Sequence, residues 1–373
     1  VRLAPALTIN KSQINILLSA IYEVIFGCAN QAGEDNRNVA RMCSLLAGMP
    51  FSVPGETVNR LCSSGLSAII HANRAIKAGD GDLFISGGVE NMTRGPYVMS
   101  KPSKAFGNDS KMYDSSFGWR FVNPKMHEMY GTDGMGNTAE NLVEKYNISR
   151  EDQDAFAYNS QMKATKAQEN GRLAKEIMTV EIPQRKKDPI QFSKDEFVKP
   201  TTTKEILGKL RPAFKKEGGS VTAGNSSGLN DGAAATIVAS VDAVKKYNLK
   251  PLARIVSSAV VGVEPRIMGI GPVKASNKAL EKAGLTMEDM DVIELNEAFA
   301  AQSLAVIEEM NLDQTKVNVD GGALALGHPL GASGARIVGR AAKLLYQNGS
   351  KTALATMCMG GGQGIATVLE KVD

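Results

Sequence analysis

The sequence predicts an α/β fold built from two similar halves. Short apolar runs typical of buried strands alternate with segments of helical periodicity, the pattern of parallel crossover units. Glycines follow several of these runs, where they let the backbone approach a ligand closely. A weak internal repeat relates residues 24–30 to 292–298, and residues 85–88 to 358–361. We therefore expect two α/β halves that face each other, with a site between the ends of equivalent strands.

Composition and charge narrow the class of protein. The 373 residues are 43% hydrophobic and 22% charged, which is enough core for two or three domains of an ordinary α/β chain. The net charge of +4 is mild and the basic residues are scattered, so no nucleic-acid partner is expected. No apolar run approaches the roughly 18 residues of a membrane span, so no membrane partner is expected either.

Four cysteines and three histidines limit the redox and metal chemistry. The cysteines form no CxxC pair and are too few for a chain of this length to depend on disulfides, which indicates a reducing, cytoplasmic compartment. The small number of histidines and the lack of an HExxH motif argue against a metal site. Cys28 and Cys43 lack flanking glycine turns and are assigned to the core.

The first half, residues 1–93, opens with a predicted strand over 22–27 and a helix over 39–47. A strand over 57–61 ends at Cys62, a helix follows to Ile76, and a strand over 82–86 is stopped by two glycines. The first 20 residues lack the strand that usually opens an α/β domain. We expect the start, and an adjacent loop, to be missing from this sequence.

Residues 94–219 differ in composition and are predicted to form an insertion. Glycines, aromatic residues and charges mix, a charged helix spans 150–170, and residues 183–209 are polar and irregular. The insertion is too long to be a plain loop, so it should have structure of its own. Residues 220–243, a glycine-rich turn and a strand, should complete the first half.

The second half, residues 244–373, repeats the alternation. Strands are predicted over 252–256 and 291–295, and helices over 274–283 and from Asn296 to Glu309. The last stretch holds a glycine-rich loop, a helix over 335–346 and a buried strand over 352–357. Three glycines follow that strand.

Four residues in such settings are candidates for chemistry. Cys62 and Cys358 each end a predicted strand, and a thiol at a helix N-terminus lies in a positive field that favours the thiolate. Each could also be an ordinary core cysteine. His328, between a glycine and a proline, suits function better than the core, whereas Asn296 could be a simple N-cap. Together they indicate nucleophile or base chemistry on an acyl group.

Five stretches of the chain, in order, closely resemble the thiolases, and the resemblance extends from about Glu23 to the end. Within that family the chain is most similar to bacterial acetyl-CoA acetyltransferases. The resemblance implies two mixed five-stranded sheets layered with helices, an inserted loop domain that covers CoA, and a homodimer or homotetramer. The matching stretches are Asn59–Gly65, Gly87–Met92, Asn296–Ala300, Gly327–Pro329 and Cys358–Gly362.

The resemblance also implies a role for each candidate. Cys62 would carry the acyl group as a thioester, and His328 would take its proton and polarise the thioester oxygen. Asn296 would hold a water beside His328. Cys358 would exchange a proton with the α-carbon of the second acyl-CoA, and the backbone N–H groups of Cys62 and Gly360 would form an oxyanion site.

Coenzyme A enters as substrate and product, and no permanently bound cofactor is implied. Residues matching family positions along the CoA path lie in the insertion, in the glycine-rich turn and at the start of the helix after Asn296. They are Met135, Lys199, Phe214, Ala223, Ser227, Leu229 and Phe299.

The expected reaction is a ping-pong Claisen condensation of two acetyl-CoA to acetoacetyl-CoA, or the reverse thiolysis. Two departures keep a degradative 3-oxoacyl-CoA or 3-oxoadipyl-CoA thiolase open as the alternative. Many short-chain relatives have a histidine where this chain has Gly134, and residues 118–124 resemble thiolases acting on 3-oxoadipyl-CoA. A 3-oxoacyl synthase would use a second histidine in place of Cys358, and a non-catalytic acyl-CoA binder would not need all three reactive residues.

Overall fold

The computed structural model describes residues 16–372, in which strands alternate with helices. The strands in chain order are β1 (Glu23–Gly27), β2 (Gly55–Val58), β3 (Leu83–Glu90), β4 (Tyr97–Met99), β5 (Met112–Asp114), β6 (Val180–Gln184), β7 (Lys187–Phe192), β8 (Gly232–Ala239), β9 (Arg254–Gly262), β10 (Val292–Leu295), β11 (Thr352–Met359) and β12 (Gln363–Glu370). The helices are α1 (Val39–Leu46), α2 (Ser64–Ala78), α3 (Pro124–Tyr130), α4 (Met135–Tyr146), α5 (Arg150–Glu169), α6 (Lys204–Gly208), α7 (Val241–Lys246), α8 (Gly271–Ala283), α9 (Ala300–Glu309), α10 (Ala323–Leu326) and α11 (Leu330–Gln347).

Two mixed sheets with related topology form the framework. The first has the order β2-β1-β3-β8 and the second β10-β11-β12-β9. Each contains a parallel pair, β1 with β3 or β10 with β11, that is extended by an antiparallel strand, β8 or β12. The duplicated α/β architecture predicted from the internal repeat is therefore confirmed.

Each sheet has four strands in the described part of the chain, not the five that the resemblance implied. In the second sheet, Val317 makes a single parallel bridge to Ile293, in the place that β2 takes in the first. Asn318 then turns away with a φ of 44°. Its side chain replaces the backbone hydrogen bonds of a strand pair: Oδ1 accepts from the N–H of Leu295 at 2.9 Å, and Nδ2 donates to the carbonyl of Leu295 at 2.8 Å. A left-handed residue cannot continue a strand, so the fifth strand is reduced to one bridge.

In the first sheet β8 is an edge strand. Among residues 16–372, no strand pairs with its outer side in the way that β9 pairs with β12 in the second sheet. The prediction about the start of the chain falls mostly on residues 1–15, which lie outside the described residues.

Two central helices, α2 and α11, lie between the sheets and share one large apolar core with them. They cross where both have glycines. A Cβ on Gly65 would lie 2.5 Å from the carbonyl oxygen of Gly331, and one on Gly334 would lie 2.3 Å from the backbone nitrogen of Leu66. Because the helices touch through their backbones near their N-termini, the loops before them are brought together.

Several boundaries differ from those predicted. β3 runs on through Gly87 and Gly88 to Glu90. A Cβ on Gly88 would lie 2.0 Å from the carbonyl oxygen of Gly331, at the start of α11. These glycines make room for α11 and do not stop the strand. β2 ends at Val58 and α9 begins at Ala300, so the loops that carry Cys62 and Asn296 are longer than the apolar pattern indicates. α11 begins at Leu330, so the loop that carries His328 is shorter.

The insertion packs on the second half. Helices α4 and α5 bury Leu142 and Ala157 against α9, at Ala301 and Ala300 respectively. The stretch over 183–209 holds part of the hairpin β6–β7 and the short helix α6, and so is less irregular than predicted. None of the helices among residues 16–372 has the length and apolar character to cross a membrane.

Candidate active site

Cys62 lies in the tight loop between β2 and α2. Leu61, just before it, has a φ of 49°, which is rare for a leucine and marks local strain. Hydrogen bonds over-determine this turn: the N–H of Leu61 donates to Asn59 Oδ1 at 2.9 Å, and the Ser64 hydroxyl donates to the carbonyl of Leu61 at 2.7 Å. The result is a half-buried thiol fixed at the start of α2.

The Cys62 thiol is neutral at rest. Burial raises its pKa, and the nearby N–H groups of Gly360 and of Cys62 itself only partly oppose this. Burial therefore outweighs the helix field, which by itself favours the thiolate. The same two N–H groups flank the sulfur, where an oxyanion on an attached acyl group would form.

His328 lies in the loop between α10 and α11, after Gly327 with a φ of 83°. Its Nδ1 lies 2.7 Å from the hydroxyl of Ser333, which donates its own proton to the carbonyl of Pro329 at 2.9 Å. Because that hydroxyl has one proton, it accepts from Nδ1–H, and this pattern assigns the unprotonated nitrogen to Nε2. Burial, and then the charge of Arg336, lower the pKa of His328 to about 4. The imidazole is thus a neutral base at neutral pH.

Asn296 follows β10 and is fully buried. It is not the N-cap of α9, since the residue at that position is Phe299. Its Nδ2 lies 3.4 Å from His328 Nε2, and its Oδ1 has no hydrogen-bond partner among the described residues. A buried acceptor of this kind needs a donor, and a water is the usual one.

Cys358 lies one residue before the end of β11 and is buried. Burial raises its pKa first, and a thiolate at Cys62 would raise it further, an interaction that places the two thiol groups near each other. Gly360 and the two glycines after it form the turn to β12, with φ values of 73° and 78° at Gly361 and Gly362. The structure thus brings Cys62, from the loop before α2, next to Cys358 and Gly360, from the end of β11 and the turn that follows it.

Glu90 and Asn230 support the site and were assigned no role from the sequence. The Glu90 carboxylate accepts N–H groups of Ala29 at 2.9 Å, Asn30 at 3.0 Å and Gly331 at 2.8 Å, so it ties the end of β3 to the start of α11. Asn230 Oδ1 accepts the N–H of His328 at 3.2 Å. The signal that could have found Glu90 is an acidic residue at the end of an otherwise buried strand.

An apolar cluster surrounds Cys358. Phe299, a member of this cluster, packs edge to face on Phe214, with ring centroids 6.1 Å apart. Three predicted substrate-binding residues, Met135, Phe214 and Phe299, are thus brought to the reactive thiols. The cluster consists of Cys358 with Met135, Ala139, Val143, Val221, Met268, Ala298 and Phe299.

The other predicted CoA residues lie further out along one surface. The N–H of Ser227 donates to the carbonyl of Ala298 at 3.0 Å, and Ala223 and Leu229 are exposed in the same loop. The exposed Lys199 holds its Nζ 5.0 Å from the ring of Phe197, which packs on Gly228 of that loop. A basic side chain therefore stands beside the loop that contacts Ala298, a member of the apolar cluster that includes Cys358.

A group with metal-ligand types occurs at Cys28, Asp35 and Glu90, whose ligand atoms lie within 4.8 Å of one another. Burial raises the pKa of the Cys28 thiol, which donates to Asp35 Oδ2 at 3.3 Å, and Glu90 already accepts backbone N–H groups. The group is a hydrogen-bonded network of the core.

Comparisons with known proteins identify the family. Two family models match, "Thiolase, N-terminal domain" over residues 6–242 and "Thiolase, C-terminal domain" over residues 249–371. The beta-ketoadipyl-CoA thiolase of Acinetobacter baylyi is 58% identical over 352 residues, 94% of this chain and 88% of that protein. The 3-oxoadipyl-CoA/3-oxo-5,6-dehydrosuberyl-CoA thiolase of Escherichia coli is 56% identical over 354 residues, again 94% and 88%.

Solved structures agree. The Bacillus anthracis acetyl-CoA acetyltransferase superposes with a TM-score of 0.88 at 42% identity, covering 96% of this chain and 89% of the other. The human mitochondrial 3-ketoacyl-CoA thiolase in complex with CoA gives a TM-score of 0.87 at 43% identity, covering 95% and 88%.

Proposed function

This chain belongs to the thiolase family and is an acyltransferase, and we propose that it cleaves 3-oxoadipyl-CoA with CoA to succinyl-CoA and acetyl-CoA. Relatives named for that substrate are 58% and 56% identical, whereas the acetyl-CoA acetyltransferase of known structure is 42% identical. The comparisons thus favour the alternative drawn from the sequence over its first choice. Gly134 and residues 118–124 support the same substrate.

The observation that carries the chemistry is the meeting of the Cys62 and Cys358 thiols beside the backbone N–H groups of Cys62 and Gly360. His328, a neutral imidazole, precedes α11, the helix that packs through glycines on the helix that follows Cys62. In the proposed first step the Cys62 sulfur attacks the C3 carbonyl of the substrate, and its proton passes to His328 Nε2. The N–H groups of Cys62 and Gly360 stabilise the oxyanion, a contribution of about 2.7–4 kcal/mol for each donor in comparable sites.

Collapse of this adduct breaks the bond between C2 and C3. The electron pair goes to C2 of the departing acetyl-CoA, and Cys358 supplies the proton that C2 gains. The acyl group stays on Cys62 as a succinyl thioester. A proton exchanges best between a weakly acidic carbon and a group whose own pKa is comparably high, and burial raises the pKa of Cys358.

In the second step the thiol of CoA attacks the succinyl thioester, and its proton restores the protonated state of the site. Succinyl-CoA leaves and Cys62 returns to the thiol. The same N–H groups act on both tetrahedral adducts, as a ping-pong scheme requires. Asn296 acts through a water beside His328, and the CoA chain lies along Phe214, Ser227 and Lys199.

We also propose a homodimer or homotetramer as the working form. Large apolar side chains are exposed on and near the hairpin β4–β5, which suits a surface buried by another copy. They are Tyr97, Met99, Phe106 and Met112. Light scattering coupled to size exclusion gives the copy number directly.

The test is thiolysis by the purified protein, with CoA and equal concentrations of 3-oxoadipyl-CoA, 3-oxohexanoyl-CoA or acetoacetyl-CoA. The expected result is the highest kcat/KM for 3-oxoadipyl-CoA, with succinyl-CoA and acetyl-CoA as products. Preference for acetoacetyl-CoA would restore the acetyltransferase assignment. Cleavage of none of them would contradict the catalytic role and favour a binder.

A further inference from the structure

A small open cleft adjoins the reaction centre on the side away from the CoA surface. Trp119, Met135, Arg266 and Gly361 are among the residues that line it. Met135 also belongs to the apolar cluster around Cys358, and Gly361 follows the glycine whose N–H faces the Cys62 sulfur. The cleft therefore borders the glycine turn that carries the oxyanion N–H group.

Helix α4 separates this cleft from the CoA surface. Gly136 faces Phe214, because a Cβ there would lie 2.0 Å from the ring. Thr138 lines the cleft. Two residues along a helix differ by about 200°, so these two point to opposite faces. An acyl chain on Cys62, with CoA arriving on the Phe214 side, extends past Met135 toward the cleft.

Arg266 is the cation in this cleft, and the structure holds it in place. Its Nε donates to Asp133 at 3.1 Å, and its carbonyl accepts from Asn141 at 2.8 Å. Asn141 also donates to the Asp133 carboxylate at 3.0 Å, and Trp119 donates to the Asp133 carbonyl at 3.0 Å. The Nη groups of Arg266 have no hydrogen-bond partner among the described residues, so a planar pair of donors is left for an incoming anion.

We propose that Arg266 binds the distal carboxylate of the acyl chain and so selects a dicarboxylic 3-oxoacyl-CoA over a monocarboxylic one. This assignment rests on the proposed thiolase reaction with 3-oxoadipyl-CoA. In a succinyl thioester the carboxylate carbon lies three bonds from the thioester carbonyl carbon, about 4 Å when extended.

The test compares 3-oxoadipyl-CoA with 3-oxohexanoyl-CoA, which has a methyl group in place of the carboxylate. Arg266→Ala should lower kcat/KM for 3-oxoadipyl-CoA about 10- to 100-fold, the usual effect of losing a hydrogen bond to a charged group, and change that for 3-oxohexanoyl-CoA less than about threefold. Arg266→Lys should recover part of the preference, because it keeps the charge and loses the fork. Arg254→Ala is the matched control, an exposed arginine paired with Glu370 at the start of β9.

The outcomes separate this inference from the proposed function. If the wild type prefers 3-oxoadipyl-CoA and Arg266→Ala keeps that preference, the function stands and the role of Arg266 is wrong. If both substrates lose activity equally in the Ala and Lys variants, Arg266 is structural only, which also overturns the inference. If the wild type shows no preference for the dicarboxylic substrate, the proposed substrate and the carboxylate site both fail.

Discussion

The two thiols of the site differ in how the chain presents them. Cys62 is half-buried in a strained loop, with N–H groups around its sulfur, whereas Cys358 is fully buried within β11. A nucleophile must be reachable, while a group that must also remove a proton from a weakly acidic carbon in the condensation direction works best where its thiolate is destabilised and therefore more basic. This difference supports the different roles proposed for the two thiols.

Replacing Cys358 by Ala should leave acylation of Cys62 largely intact and slow turnover about 10²- to 10⁴-fold, the usual contribution of a general acid or base. Intact-protein mass spectrometry after incubation with acetyl-CoA measures the first, and thiolysis or condensation rates measure the second. Cys43→Ala, which removes a half-buried thiol on α1, is the control. Normal turnover in Cys358→Ala would exclude it as the acid.

The buried imidazole of His328 makes stability depend on pH. Burial and the charge of Arg336 lower its pKa to about 4 in the folded protein, against about 6.5 in the unfolded chain. Below pH 6.5 the unfolded chain binds a proton that the folded chain does not. Stability from this group is therefore present above pH 6.5 and lost as the pH falls toward 4.

Between pH 7 and pH 5 the wild type should lose about 2 kcal/mol more unfolding free energy than His328→Asn. Urea titrations of both proteins at the two pH values measure this difference. His127→Asn, which changes an exposed histidine, should follow the wild type. Equal losses in wild type and His328→Asn would mean that the folded protein protonates His328 as easily as the unfolded one.

At the level of elements, the crossing of α2 and α11 decides whether a site exists. The two helices meet through Gly65, Gly331 and Gly334, and no side chain separates their backbones. Cys62 precedes one helix and His328 the other. Any residue that pushes the helices apart also separates the nucleophile from its base.

Gly334→Ala should destabilise the protein by about 1–3 kcal/mol, although Ala is favoured over Gly within a helix, because the new Cβ meets the backbone of Leu66. Thermal unfolding and thiolysis rates should fall together. Gly208→Ala is the matched control: it is also a helical glycine, but its Cβ would enter open space. A Gly334→Ala protein as stable and active as wild type would show that the helices can separate freely.

At the level of the whole molecule, the two halves are joined beside the site by Glu90. Its carboxylate accepts N–H groups from the loop after β1 and from the start of α11, and so links the first half to the second. Burial raises the pKa of Glu90, while these three N–H donors lower it. The link is therefore a buried carboxylate that depends on keeping all its donors.

Glu90→Gln should cost about 1.5–3 kcal/mol of unfolding free energy, because an amide cannot accept all three N–H groups and its own NH₂ faces one of them. Chemical unfolding measures this, and kcat should fall with it as the His328 loop loosens. Glu34→Gln, an exposed carboxylate paired with Arg94, should show no comparable change. If the two variants are equally stable, Glu90 does not hold the halves together.

The sequence by itself determined the class of fold and the duplication, and it predicted four candidate site residues, since periodicity, glycine-framed strand ends and matching motifs are all local properties. It could not decide where β3 ends, because Gly87 and Gly88 stop a strand in isolation and continue one when a helix backbone must pass beside it. Neither could it give the partners of Glu90, Asn230 and Arg266, because those partners are distant in the chain.

Only the tertiary structure decided the charge states of Cys62, Cys358 and His328. A helix N-terminus alone favours a thiolate at Cys62, and an isolated imidazole titrates near pH 6.5. Burial between the two sheets outweighs both tendencies, raising the pKa of each thiol and lowering that of His328 to about 4. Desolvation is a property of everything packed around a group, so it follows from the assembled fold and not from neighbours in sequence.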